Sequence, residues 1–114
     1  MTNLTAIRRA VRQAARANGA TLAVLFGSHA RGTATRHSDV DVIFVEETND
    51  RFLDRLVRYM IPLSEALHEA IEVLVYTPAE FEDMKDRAFV RRALQEGIIL
   101  YESGKKRTTS RSLA

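Results

Sequence analysis

Apolar positions along this chain change period several times, and each change marks an element. Leu4, Ile7, Val11, Ala14 and Ala15 recur at helical spacing, and Asn18-Gly19 supplies a stop. Thr21 to Phe26 is mostly apolar and bounded by Gly19 and Gly27, which reads as a short buried strand. Alternation through the next strand puts Asp39, Asp41, Ile43 and Val45 on one face and Val40, Val42 and Phe44 on the other. Asp50 opens a second amphipathic stretch with Phe52, Leu53, Leu56, Val57 and Met60 inward, which Pro62 is expected to kink or split. Ala70 to Tyr76 is a strand by composition. Thr77-Pro78-Ala79-Glu80 then carries the N-cap, the early proline and the acid of a helix start. Phe81, Met84, Phe89, Val90, Ala93 and Leu94 would pack one helix or two short ones, Gly97 ends them, and Ile98 to Tyr101 is a last strand.

Composition narrows the reading. With 114 residues, 46% of them hydrophobic, the chain is of single-domain size and leaves no room for a second catalytic or substrate-binding domain. No run reaches the length of a membrane span, and the polar, Arg-bearing start lacks the apolar core of a signal peptide. The absence of cysteine excludes disulfides and thiolate chemistry and fits a reducing cytoplasm. The net charge of +2 conceals a division: 17 basic residues less Lys105, Lys106, Arg107 and Arg111 leave 13 against 15 acids. The expected organisation is therefore a folded domain over 1–102 and a basic disordered tail over 103–114, a solvated terminus rather than a nucleic-acid contact. The cluster Arg8, Arg9, Arg12 and Arg16 likewise reads as a solvated face, with a partner-binding or phosphate-facing role as the alternative.

Candidate chemistry sits where the first strand ends and the next begins. Gly27 lacks a Cβ and lets a ligand approach the backbone, while Ser28 to Gly32 can form a helical turn whose free N–H groups face an anion. Asp39 and Asp41, side by side at a strand end, repel each other unless a cation intervenes, and Mg²⁺ suits such an oxygen pair. Glu72 is the lone charge in an apolar strand, either a metal-proximal base or an edge-strand residue pointing to solvent. Arg31 would contact phosphate or hold a site carboxylate in place. No His-Asp relay accompanies Ser28, which reads as an anion-binding hydroxyl rather than a nucleophile. His29, His37 and His68 have no Cys or His at ligand spacing and read as surface residues.

Gly27-Ser28, ten residues, then Asp39-x-Asp41 resembles the signature of the nucleotidyltransferase superfamily related to DNA polymerase beta. The fuller string Gly27-Ser28-His29-Ala30-Arg31-Gly32 with Ser38-Asp39-Val40-Asp41 is similar to its minimal nucleotidyltransferase branch, and the likeness extends to about Tyr101. The resemblance implies an α+β, two-layer fold with a mixed four-stranded sheet and helices packed on it. It also implies that Gly27 and Ser28 bind the triphosphate, that Asp39 and Asp41 bind Mg²⁺, and that a third acid on a later strand completes the site. That acid is usually Asp, so Glu72 is a departure, with Glu69 the nearest alternative.

Larger relatives carry a helical domain for the nucleoside and acceptor; here the acceptor surface must come from a partner or a second copy. Minimal members are often antitoxins paired with a helical HEPN toxin, and some transfer AMP onto a Tyr of it. The resemblance thus implies a Mg²⁺-dependent, cytoplasmic adenylyltransferase using ATP, with Asp39, Asp41 and Glu72 catalytic and metal-binding and Gly27, Ser28 and Arg31 at the nucleotide. The alternatives are an inactive module that neutralises its partner by contact, or transfer to a small molecule or RNA. Neither membrane nor nucleic acid is an expected partner.

Overall fold

A computed structural model describes residues 3–103; of the basic tail expected over 103–114, all but Ser103 lies outside the described residues. Helix α1 (Leu4–Asn18) is capped by the Asn3 side chain, which accepts from the Ala6 N–H at 2.8 Å, and ends at Gly19, whose φ of 76° is left-handed. Then follow β1 (Leu22–Phe26), the single turn α2 (Ser28–Arg31), β2 (Val40–Val45), α3 (Phe52–Leu67), β3 (Ile71–Tyr76), α4 (Pro78–Met84), α5 (Ala88–Glu96) and β4 (Ile98–Glu102). The capping box predicted at Thr77 and Glu80 is formed on both sides.

The sheet order is β3-β2-β1-β4, antiparallel except for the β2–β3 pair, which is parallel. This is the mixed four-stranded sheet expected. Val40, Val42 and Phe44 point to the main core beneath α1 and α3, with Leu25, Val73 and Val75 from the neighbouring strands. Ile43 points the other way and packs with Tyr76 and Ala93 under α4 and α5. The predicted two faces of the Asp39–Val45 strand are therefore the observed ones.

Helix α3 departs from expectation twice. It is not split at Pro62: one helix runs on past the proline, with Tyr59 and Leu63 on either side both buried. Its inward stripe is Arg55, Tyr59, Leu63 and Leu67, whereas Phe52, Leu53 and Val57 are 41%, 73% and 53% exposed. The rotation follows from buried polar partners. Arg55 donates to Glu80 at 2.7 and 3.2 Å, and Arg58 and the Tyr59 hydroxyl both donate to Glu46, which is almost fully buried at the end of β2. Leu56 and Met60 do pack against the core as expected, so hydropathy was right for those two and missed that satisfied charges can be inside.

Candidate active site

Asp41 is the centre of a row across three strands. In register it faces Phe26 on β1 and Glu72 on β3, so all three share the sheet face opposite α1 and α3. Asp39 lies one residue before β2, after a turn in which Ser38 Oγ accepts the Thr35 N–H at 2.9 Å and Thr35 Oγ1 accepts the His37 N–H at 3.2 Å. The Val40 N–H then bonds to Ala70 O and starts the parallel pairing. The structure thus brings Asp39, Asp41 and Glu72 together, each offering a carboxylate oxygen within 4.8 Å of the others. Glu72 is exposed on an edge strand, yet it stands beside Asp41.

The electrostatics match the geometry. Partial burial, then the carboxylates of Glu72 and Asp39, push the Asp41 carboxyl from 3.8 up to about 6, against the smaller opposing pull of His29 and Arg31. Among the described residues no Lys, Arg or His forms an ion pair with any of the three acids. Three hard oxygen donors crowded together with no cation paired to them suit a hard divalent cation.

Gly27 adopts φ 76° and ψ −157°, a conformation essentially reserved for glycine, and it serves a second need. A Cβ there would lie 2.3 Å from Asp41 Oδ2. The backbone at Gly27 therefore presses directly on the central carboxylate, with Ser28 starting α2 beside it and no side chain capping that turn. Arg31 does not reach a site carboxylate; it pairs with Glu96 of α5 at 3.4 Å and remains half-exposed. His29 corrects the sequence expectation. It is half-buried, and its Nε2 is buried without a hydrogen-bond partner, while His37 and His68 are exposed as expected.

Aromatic residues complete the surroundings. An open cleft of about 690 Å³ is lined by Asp41 and Glu72 together with Phe26, Leu74, Tyr76 and Phe89. A smaller one of about 230 Å³, bordered by Gly27, Arg31 and Arg92, shares Phe26 and Phe89 as a wall. Phe89 was expected to pack inward. It is instead 55% exposed and edge-on to Phe26 at 5.7 Å between ring centres. Phe26 could have been anticipated, because it alternates onto the face of Asp41; nothing local in the sequence singled out Phe89 or Arg92.

Comparison with known proteins gives the family and the fold. The family model described as "Nucleotidyltransferase domain" matches residues 4–101. A protein of Methanocaldococcus jannaschii named as a candidate protein adenylyltransferase is 29% identical over 79 residues, 68% of this chain and 75% of its own. Among solved structures, a toxin-antitoxin with AMP-PNP superposes with TM-score 0.64 at 19% identity, covering 93% of this chain and 88% of the other. A candidate nucleotidyltransferase from Sulfolobus solfataricus gives 0.59 at 21% identity, covering 90% and 83%. The fold thus has its counterpart among solved structures, and the chain belongs to the nucleotidyltransferase domain family, as an enzyme of that kind.

Proposed function

We propose that this nucleotidyltransferase transfers AMP from ATP onto a partner protein, as the antitoxin of a toxin-antitoxin pair with a helical HEPN-type toxin. The observation that carries the reading is the Asp39, Asp41 and Glu72 cluster beside Gly27. Support for a protein acceptor comes from the adenylyltransferase relative, and support for the pair from the toxin-antitoxin neighbour. The absence of cysteine suits work in the cytoplasm.

Asp39, Asp41 and Glu72 would hold Mg²⁺, which supplies charge neutralisation at the phosphates and acidifies the attacking hydroxyl. The residues themselves do the positioning. Gly27 and Ser28 hold the outer phosphates by backbone N–H and hydroxyl hydrogen bonds. Phe26 and Phe89 offer an apolar wall to the nucleoside at the same cleft. The acceptor oxygen forms a bond to the α-phosphorus as the bond to pyrophosphate breaks. Glu72 holds the acceptor hydroxyl and takes its proton, or helps fix the metal on that side. The acceptor surface belongs to the partner.

The test is incubation with α-labelled ATP, Mg²⁺ and a lysate of the host. One protein should carry covalent label, and the Asp41→Asn enzyme should leave it unlabelled. Label on RNA or a small molecule instead would refute protein transfer; a stable partner complex without label would make the chain a pure binding module.

A further inference from the structure

We infer that the outer face of α1 is a docking surface for the phosphodiester backbone of nucleic acid, independent of the nucleotide-transfer site. At about 100° per residue, Arg8, Arg12, Thr5, Arg16 and Arg9 fall in that angular order within an arc of roughly 100°. Ile7, Ala10, Val11, Ala14 and Ala15 occupy the buried side of the helix. Arg9, Arg12 and Arg16 are exposed and Arg8 is half-exposed.

Two observations separate this face from an ordinary solvated one. Among the described residues none of the four arginines forms an ion pair, although the chain has 15 acids; Arg16 lies over the Tyr101 ring at 5.9 Å. No Asp or Glu precedes Asp39 in the sequence, so no acid on α1 relieves the repulsion between Arg8, Arg12 and Arg16, which lie one turn apart. Like charges at that spacing weaken a helix, and an external anion would remove the penalty.

The kind of partner follows from what the face lacks. A protein partner would need an apolar or aromatic anchor at its centre; here Thr5 lies between the arginines and Gln13 borders them, and the one ring, Tyr101, stands under Arg16 at the end of the row. A phosphodiester backbone asks only for positive charge and hydrogen-bond donors. The row from Arg8 to Arg16 rises about 12 Å, and a duplex strand presents a phosphate about every 3.4 Å of its axis, so the row spans three to four phosphates. The face lies across the sheet from Asp41 and Glu72, so occupancy there leaves the transfer site open.

Fluorescence anisotropy of the full chain with labelled single-stranded RNA and with duplex DNA, titrated across salt concentration, tests this. The R8Q/R9Q/R12Q variant should bind at least about tenfold more weakly at low salt. Its dependence of log affinity on log salt should be shallower than wild type by about 2.7 for the duplex or about 2.1 for the single strand. The R8K/R9K/R12K variant should keep wild-type behaviour, and nucleotide transfer should be unchanged in both. The inference is overturned if the glutamine variant keeps the wild-type slope, or if the lysine variant loses it. It fails equally if the K105Q/K106Q/R107Q variant abolishes binding while α1 is intact. Polyglutamate competing as well as nucleic acid would assign the face to an acidic protein instead.

Discussion

Gly27 and Asp41 touch so closely that a methyl group at residue 27 would overlap the Asp41 carboxylate, 2.3 Å from Oδ2. Gly27→Ala therefore strains a glycine-only backbone and displaces the central acid at once. The variant should lose about 1–3 kcal/mol of stability and at least about a hundredfold in transfer. Thermal unfolding and single-turnover labelling would measure the two. A folded, fully active Gly27→Ala enzyme would contradict the close packing.

Asp41 also sets a pH dependence whose sign is definite. Its carboxyl titrates at about 6 in the folded protein against 3.8 as a free side chain, so the metal-free fold is favoured while Asp41 is neutral. That contribution is lost as pH rises from 3.8 through about 6. Asp41→Asn should flatten the profile over this window. In the wild type Mg²⁺ with ATP should reverse it, raising the melting temperature more at neutral pH than in mild acid.

Removing a site charge without changing shape separates metal binding from folding. At about a hundred times the dissociation constant, Mg²⁺-ATP should stabilise the wild type by roughly 2.7 kcal/mol. Asp39→Asn and Asp41→Asn should show little of this gain, remain folded and still bind the partner protein. Calorimetry with a pull-down distinguishes these outcomes, and an undiminished gain in both variants would place the metal elsewhere.

Glu72 reaches the site from an exposed edge strand, so its contribution is measurable with little risk to the core. Glu72→Gln should slow transfer by at least about a hundredfold with little change in ATP affinity. Glu72→Asp should keep partial or better activity. Equal rates for Gln and wild type would show that the side chain only faces solvent.

Away from the chemistry, Glu46 anchors α3 to the end of β2 through Arg58, at 2.7 and 3.1 Å, and the Tyr59 hydroxyl. Burial and the neighbouring Glu46 carboxylate together keep the Tyr59 phenol protonated well above its usual range. Glu46→Ala removes the acceptor of the buried Tyr59 hydroxyl and one of the two carboxylates on Arg58, which keeps Asp50 at 3.0 Å, and should cost about 1–3 kcal/mol in denaturant unfolding. A loss within experimental error would mean that water replaces the carboxylate.

What the sequence disclosed and what it hid divide along the range of the interactions. Alternation in Val40–Val45 and the glycine stops at Gly19 and Gly97 are local, and the faces and boundaries that they indicate match the fold. The joined Gly-Ser and Asp-x-Asp pattern located the site, although nothing local pairs Asp41 with Glu72; that requires the parallel β2–β3 register. Helix α3 was misread for the same reason. Arg55 is inside only because Glu80, 25 residues later, meets it, and Glu46 likewise explains Tyr59. His29 is drawn in beside Asp41 by the turn at Gly27, which no periodicity encodes.

That parallel pairing has a further consequence for assembly. β1 and β2 are antiparallel neighbours in sequence, so Asp41 and the Gly27 turn can meet early, through short chain closures. Glu72 arrives only after α3 has crossed over, and a slip of one residue would replace it with Ile71 or Val73 and turn the acid to the other face. The crossover through α3 is therefore the step that completes the carboxylate cluster, and a misregistered one would yield a compact protein with a two-acid, defective centre.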